Sequence, residues 1–248
     1  MGMKRIILSK RLQMLASMVT SGNRVADVGC DHGFLPIWLV QSGTIPGALA
    51  MDVREGPLEA AREHVAAYGL EEYISVRISD GLKEYHIGEA ETIVCAGMGG
   101  RLMEKILTES LDKAKSAREL ILQPQSELRE FRAFLRRAGF SILTEDAVYE
   151  DGKYYFAMKA VYGGCRAVPD MLTAAEKETE EVFLYDMFGE QLLLEKHPVL
   201  QQYLLYRRDI VKRLKETVSG RNTERTDMRL KEMEEEFILL EKALTYFQ

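Results

Sequence analysis

Three acidic side chains stand at or near the ends of three successive apolar runs, at Asp27, Asp52 and Asp80. Carboxylates in such positions accept hydrogen bonds from ribose hydroxyls in nucleoside-binding α/β folds, and Asp52 follows Gly29 at the expected distance of about 20 residues. Gly29 and Gly33 permit positive φ angles, so a ligand can approach the backbone of the turn between the first strand and its helix. The pattern predicts a nucleoside-binding site.

Each of these features also has a purely structural interpretation. Strand–turn–glycine sequences occur in α/β proteins that bind no cofactor, and Asp52 could cap the helix that begins near Pro57. The glycine-rich stretch from Ala96 to Gly100 could be a turn that only reverses the chain. The agreement of the three acids favours the ligand site, because parallel strands bring their carboxyl ends to one edge of a sheet.

Apolar periodicity supplies the elements that position these residues. A helix from Ser9 to Val19 precedes five predicted βα units, whose strands are Val25 to Val28, Gly47 to Val53, Ile74 to Asp80, Thr92 to Cys95 and Glu119 to Pro124. Two further strands, Ser141 to Val148 and Tyr154 to Tyr162, form a closing hairpin. The sequence thus predicts an α/β fold with a seven-stranded, mostly parallel sheet whose last strand is antiparallel. The closing hairpin favours the methyltransferase variant of the Rossmann-like fold over the dehydrogenase variant.

Strand patterns end near residue 165, so we divide the chain into residues 1–165 and an α-helical domain over residues 166–248. A helix begins at about Pro198, and another repeats apolar residues at alternating steps of three and four, at Leu230, Met233, Phe237, Leu240, Leu244 and Phe247. This spacing is typical of coiled coils. We predict an antiparallel coiled-coil hairpin.

Composition narrows the functional classes. The chain has 248 residues, 46% of them hydrophobic and 29% charged, which is ordinary for a globular protein. Its three cysteines and four histidines show no metal-ligand spacing, so we expect no metal. No run approaches a membrane span, and the N-terminal segment lacks the apolar stretch of a signal peptide, so we expect no membrane association and a cytoplasmic protein.

The net charge of −6 argues against indiscriminate nucleic-acid binding, but local basic patches remain possible. One patch lies on the helix that follows Pro198. It contains Arg207, Arg208, Lys212 and Arg213. The patch is either a nucleic-acid surface or a solvated helix face that nearby glutamates neutralise.

Several motifs together resemble the bacterial TrmK family, and the resemblance covers essentially the whole chain. They are Asp27-Val-Gly-Cys-Asp-His-Gly-Phe-Leu-Pro36, Gly56-Pro57, Asp80-Gly-Leu82, Ala96-Gly-Met-Gly-Gly100, Leu122-Gln-Pro124 and Glu150-Asp-Gly-Lys-Tyr154. The family consists of S-adenosylmethionine (SAM)-dependent tRNA (adenine-22-N1)-methyltransferases, with a class I methyltransferase domain and a C-terminal coiled-coil domain.

The resemblance implies which residues bind SAM. They are Arg11, Leu12, Asp27, Gly29, Asp31, Asp52, Asp80, Gly81, Ala96, Gly97, Met98 and Gly99. Within this set Asp52 holds the ribose, Asp80 and Gly81 lie at the adenine, and Arg11 and Leu12 cover the methionine part. The stretch from Ala96 lies on the methyl-donor side, next to the target base.

The sequence departs from the commonest class I pattern in two ways. Asp31 stands where the loop usually has its middle glycine, and no Asn-Pro-Pro-Tyr motif follows the fourth strand. That motif serves exocyclic amines, whereas a ring N1 presents an in-plane lone pair and mainly needs positioning. We hypothesise that Asp31 stabilises the positive charge that develops on the adenine, or accepts an N6 proton, while His32 positions the base. Alternatively, both residues only build the cofactor turn.

The C-terminal helices and their basic residues are the expected tRNA-binding elements, since the class I pocket accommodates a single base that must leave its stack. The hairpin could instead mediate dimerisation, so we expect a monomer or a weak homodimer. Two other functions remain open. One is a small-molecule SAM-dependent methyltransferase with the helical domain as a lid or dimer contact, and the other is a non-enzymatic scaffold with a vestigial nucleoside site. An NAD-dependent reductase is disfavoured by the hairpin and by Asp31.

Overall fold

The structure is a computed structural model that describes residues 6–163, 179–218 and 224–248. The chain divides into two compact units, Met1–Glu176 and Lys177–Gln248. The predicted boundary between residues 165 and 166 lies outside the described residues and stays a prediction.

The first unit contains one seven-stranded sheet with strand order β3-β2-β1-β4-β5-β7-β6. The strands are β1 Val25–Val28, β2 Ala48–Asp52, β3 Ile74–Ile78, β4 Thr92–Met98, β5 Glu119–Pro124, β6 Phe140–Glu150 and β7 Lys153–Tyr162. Strands β1 to β5 are mutually parallel, whereas β7 pairs antiparallel with both β5 and β6. Every residue of β1, β2 and β5 is buried, as expected for central strands covered on both faces. The predicted seven-stranded Rossmann-like fold is confirmed.

Helices cover both faces of this sheet. They are α1 Lys10–Met18, α2 Phe34–Gln41, α3 Glu55–Ala67, α4 Gly100–Glu109, α5 Leu111–Ser116 and α6 Leu128–Arg137. One buried apolar core includes Leu15 of α1, Ile37 of α2 and Leu58 of α3. The core on the opposite face includes Met103 of α4 and Phe131 of α6. The sheet is therefore held between two apolar layers, and its carboxyl edge stays available for a site.

Strand β4 is longer than the sequence predicted. It continues past Cys95 to Met98, and its register with β5 shifts between Ala96 and Met98, which marks a β-bulge. Gly97 lies in this bulge with φ +80°, a conformation that glycine adopts without strain. Helix α4 begins at Gly100, directly after Gly99. A Cβ atom at Gly100 would stand 2.5 Å from the carbonyl oxygen of Ser126, so only glycine fits there.

The second unit is helical, with α7 Glu180–Phe188, α8 Glu190–Leu194, α9 Pro198–Val218 and α10 Glu224–Thr245. Ion pairs join Arg208 to Glu241 (3.6 Å) and Lys215 to Glu234. The later α9 residue pairs with the earlier α10 residue, so the two helices run antiparallel. Buried apolar residues fill their interface, including Leu204, Val211, Met233 and Leu240. The helices predicted for this part of the chain are present. Residues 219–223, which join the two helices of the predicted hairpin, fall outside the described residues, and the coiled coil itself stays a prediction.

Within the described ranges, no helix is both long enough and apolar enough to cross a membrane.

Candidate active site

A cleft of about 480 Å³ lies at the carboxyl edge of the sheet, where β1, β2 and β4 end. It brings together almost all of the residues that the resemblance assigned to SAM. These are Arg11, Leu12, Asp27, Gly29, Asp31, Asp52, Asp80, Gly81, Ala96, Gly97 and Met98. Gly99 instead precedes α4 as its N-cap residue and does not line the cleft. His32 is also part of the lining.

Asp52 ends β2 and is buried, with 6% of its surface exposed. Its Oδ1 atom accepts a hydrogen bond from the backbone N–H of Arg54 at 3.0 Å. Arg54 is the N-cap residue of α3, so Asp52 does not pair with the free amides of the first turn of the helix. The structure therefore rules out the alternative in which Asp52 only caps this helix.

Asp27 lies in β1 and is buried at the base of the cleft. Burial is the main cause that raises the pKa of its carboxyl group to about 7. The Arg11 guanidinium opposes this shift, whereas the neighbouring charges of Asp52 and Asp31 add to it. The charged carboxylate is thus costly in the free protein. A cationic ligand in the cleft would stabilise it.

The turn between β1 and α2 is left-handed at three residues, with φ +77° at Gly29, +51° at Asp31 and +71° at Gly33. Asp31 thus adopts the conformation that the usual middle glycine provides, which aspartate tolerates better than most residues. Its side chain is 64% exposed and approaches the Nε2 atom of His32 at 3.8 Å. A side chain at Gly29 would stand 3.0 Å from the Met98 methyl group, so glycine also allows close packing there.

An aromatic cluster supports the outer side of this turn. His64 of α3 contacts the carbonyl oxygen of His32 through Nδ1 at 3.0 Å, and its ring stacks on Phe34 with centroids 4.8 Å apart. His32 lies 5.6 Å from Phe34 and 5.9 Å from His64 between ring centroids. His64 was not predicted from the sequence, because its contact with the turn joins residues that are distant in the chain.

Asp80 and Gly81 follow β3 at the opposite end of the cleft. Asp80 forms an ion pair with Lys83, and this hydrogen-bonded partner lowers the pKa of the carboxyl group. Gly81 has φ +59°, and a side chain there would stand 2.8 Å from Ile106. Ile106 and Leu102 of α4 line the same part of the cleft and give it an apolar wall.

Arg11 is held in the cleft from two directions. Glu150, the last residue of β6, accepts hydrogen bonds from the backbone N–H groups of Lys10 at 2.6 Å and Arg11 at 3.1 Å. A carboxylate at this position satisfies free amides of the first turn of α1 and interacts favourably with the helix dipole. The Arg11 side chain donates through Nη1 to the Oε1 atom of Gln123 at 3.2 Å, and its guanidinium lies 5.8 Å from the centroid of the Tyr155 ring.

Glu150 and Gln123 belong to the sequence motifs without a predicted role, and no sequence pattern indicated Gln125, which also lines the cleft. The amide nitrogen of the Gln125 side chain and the Arg11 guanidinium border the space above Gly97. The charged guanidinium of Arg11 and the amide of Gln125 make this the polar end of the cleft.

The predicted RNA-binding residues lie on α9, in the second unit. Arg207 pairs with Glu236, Arg208 pairs with Glu241, and Arg213 donates through Nε to the carbonyl oxygen of Asp209 at 3.2 Å. Carboxylates from α10 therefore neutralise part of this patch. An open groove in this unit has a lining of mixed charge, made of Arg208, Lys212, Lys215, Asp209, Glu216, Glu241 and the ring of Phe237.

Among the described residues, no three or more His, Cys, Asp or Glu side chains are grouped so that they could hold a metal ion.

Comparison with known proteins agrees with this geometry. Residues 8–158 match the model of a family described as a methyltransferase domain. Fold, cleft and family match together define a protein of the methyltransferase class.

More specific relatives cover the whole chain. It is 32% identical to the tRNA (adenine(22)-N(1))-methyltransferase of Bacillus subtilis, over 98% of this chain and 100% of that protein. The crystal structure of B. subtilis m1A22 tRNA methyltransferase TrmK superposes with a TM-score of 0.79 at 32% identity, covering 98% of this chain and 100% of that one. The Streptococcus pneumoniae protein Sp1610, solved in complex with SAM, gives 0.80 at 32% identity, covering 96% and 100%.

The chain belongs to the TrmK family of tRNA (adenine-22-N1)-methyltransferases. The resemblance drawn from the motifs is confirmed.

Proposed function

We propose that this protein transfers a methyl group from SAM to N1 of the adenine at position 22 of tRNA. The observation that carries the proposal is the cleft, which the buried Asp52 and Asp27 line together with the left-handed turn after β1. The chain is also related over its whole length to the B. subtilis enzyme. We further propose that tRNA is the partner, that the protein acts in the cytoplasm, and that it works as a monomer or a weak homodimer.

The residues of the cleft fit SAM. Asp52 offers a buried carboxylate to ribose hydroxyls, and Asp27 offers a carboxyl group whose negative form a cationic donor would favour. The turn from Gly29 to Gly33 exposes backbone to the ligand, and Ile106 provides an apolar surface for the adenine ring. When bound, SAM supplies an electrophilic methyl group on a sulfonium centre. The protein then has to orient the acceptor nitrogen and accommodate the positive charge that remains on the base.

Asp31 is our candidate for stabilising that charge, with His32 positioning the base. The support is its place in the cleft, its exposure and its proximity to His32. Asp31→Asn tests the charge alone, because asparagine has the same shape and tolerates a positive φ angle. Asp31→Gly is the matched control for the backbone. We expect both variants to bind SAM and both to lose about tenfold to a hundredfold in kcat. Near-normal turnover of Asp31→Asn with intact SAM binding would assign Asp31 to the cofactor turn only.

The patch on α9 is our candidate for tRNA binding. The set to change together, by reversing each charge to glutamate, is Arg207, Arg208, Lys212 and Arg213. We expect tRNA affinity to fall at least tenfold and to lose part of its salt dependence, while SAM affinity is unchanged. Arg118→Glu, at the amino end of β5 and away from the cleft, is the control. Unchanged tRNA affinity of the fourfold variant would show that the glutamates of α10 already neutralise the patch.

The decisive experiment is methyl transfer from labelled SAM to unmodified tRNA transcripts, followed by digestion to nucleosides. We expect label in 1-methyladenosine, and loss of that label when the adenine at position 22 is replaced. Absence of label, despite measurable SAM binding, would favour the alternative of a small-molecule methyltransferase that uses its helical unit as a lid or dimer contact.

A further inference from the structure

We propose that Gln125 determines specificity for adenine by pairing with the N6 and N7 atoms of the target base. The inference rests on the proposed function and assigns a recognition residue to the same site.

The target adenine would lie in the part of the cleft above Gly97, which we call the acceptor space. Gly97 lies in the bulge of β4, beside the donor-binding turn, and its positive φ opens its missing side-chain direction into the cleft. A Cβ atom built there would meet the Arg11 Nη1 atom at 3.5 Å and the Gln125 Nε2 atom at 3.9 Å. The space above Gly97 is therefore bordered by one guanidinium group and one amide group.

The two side chains that border the acceptor space differ in their hydrogen bonding. Arg11 is already engaged by the buried side chain of Gln123, which accepts its hydrogen bond at 3.2 Å. Gln125 is fixed only through its backbone, whose N–H donates to the carbonyl oxygen of Met98 at 2.9 Å. Its side-chain amide is exposed and has no hydrogen-bond partner within residues 6–163, 179–218 and 224–248. Gln125 thus has both a free donor and a free acceptor beside the acceptor space.

The donors and acceptors of the target base restrict which side chain can recognise it. Methylation at N1 requires the Watson–Crick edge to face the donor, which leaves the neighbouring Hoogsteen edge for recognition, where N6–H is a donor and N7 is an acceptor. A glutamine amide matches this edge with two hydrogen bonds, because its oxygen accepts from N6 and its nitrogen donates to N7. Arginine has donors only and cannot accept from N6. Guanine presents acceptors at O6 and N7, which leaves the amide oxygen unpaired.

The test uses tRNA transcripts that carry 7-deazaadenosine at position 22, which lacks only the N7 acceptor. We expect kcat/KM of the unaltered protein to fall roughly tenfold with this substrate. Gln125→Ala should lose roughly tenfold on normal tRNA and show no further loss with the 7-deaza substrate. Gln125→Glu keeps the acceptor for N6 but places a carboxylate oxygen at N7, so it should prefer the 7-deaza substrate. Gln191→Ala, in α8, is the control and should behave as the unaltered protein.

The outcomes separate this inference from the proposed function. If the unaltered protein forms no 1-methyladenosine at position 22, the proposed function fails. If it methylates that position but is insensitive to the 7-deaza change, or if Gln125→Ala retains the full sensitivity, only the role of Gln125 is refuted. Loss of SAM affinity in Gln125→Ala would place the residue on the donor side and would also overturn the inference.

Discussion

Replacing Asp27 with asparagine should change how the stability of the first unit depends on pH. Asp27 is buried, and its carboxyl pKa is raised from 3.8 to about 7, chiefly by desolvation. Between these two values the folded protein holds a proton that the unfolded chain has released. Stability therefore falls as pH rises through this window, because the unfolded state binds fewer protons than the folded one. Asparagine cannot ionise, so the variant lacks this contribution.

The size of the effect follows from the shift. Each pKa unit corresponds to about 1.4 kcal/mol, so a shift of roughly three units makes ionised Asp27 destabilising by about 4 kcal/mol. Most of this change develops between pH 5 and 8. Over that range the free energy of unfolding of the unaltered protein, relative to Asp27→Asn, should fall by roughly 2 to 3 kcal/mol. Subtracting the free energy of unfolding of the variant from that of the unaltered protein cancels the contributions of other titrating groups. One of these is Glu89, whose pKa of about 2 is set mainly by its hydrogen bond to Arg77.

The assay is guanidinium chloride unfolding followed by the fluorescence of Trp38, measured in steps from pH 5 to 8. Trp38 is the only tryptophan in the chain and lies in α2, so its signal reports on the unit that contains Asp27. Asp112→Asn, which changes an exposed residue of α5, is the matched control and should follow the unaltered protein. Parallel pH curves for the unaltered protein and Asp27→Asn would refute the reasoning, because they would mean that Asp27 is ionised at no cost.

Three further changes test other parts of the structure. Glu150→Gln replaces one of the two oxygens that hold the start of α1. We expect KM for SAM or tRNA to rise several-fold in steady-state kinetics, while the free energy of unfolding changes by about 1 kcal/mol or less. Unchanged KM values would mean that α1 takes no part in substrate binding. Gly97→Ala places a methyl group at a positive φ in the acceptor space. We expect methyl transfer to fall at least tenfold, while calorimetry still detects SAM binding. A normal rate of transfer would show that the acceptor base binds elsewhere in the protein. Arg132→Met leaves the buried Glu145 carboxylate without its partner at 2.8 Å and should destabilise the fold by about 3 to 5 kcal/mol in denaturant unfolding, with Arg132→Lys retaining part of that stability. An Arg132→Met variant as stable as the unaltered protein would show that this buried ion pair does not stabilise the fold.

Local patterns were sufficient for most of the fold. The predicted bounds of β1 and β5 match the structure, because a central parallel strand is buried on both faces and reads as a short apolar run. The spacing from Gly29 to Asp52 likewise located the cleft, since consecutive strands of a βα fold end at one edge. Hydrophobic periodicity predicted α9 and α10 because each presents an apolar face to its neighbour.

Other features depend on contacts between distant parts of the chain. The sequence placed Ala96 to Gly100 in a loop, but pairing with β5 extends β4 to Met98 and leaves Gly97 in a bulge. The motif around Glu150 gave no hint that its carboxylate holds the start of α1, because the hydrogen-bonded residues are 140 and 139 positions apart. Gln125 became a candidate only when β5 brought it beside Gly97. Residue type and periodicity determined which groups reach the edge of the sheet, whereas tertiary packing alone decided which of them face each other, since those distances depend on strand order and register rather than on neighbouring sequence.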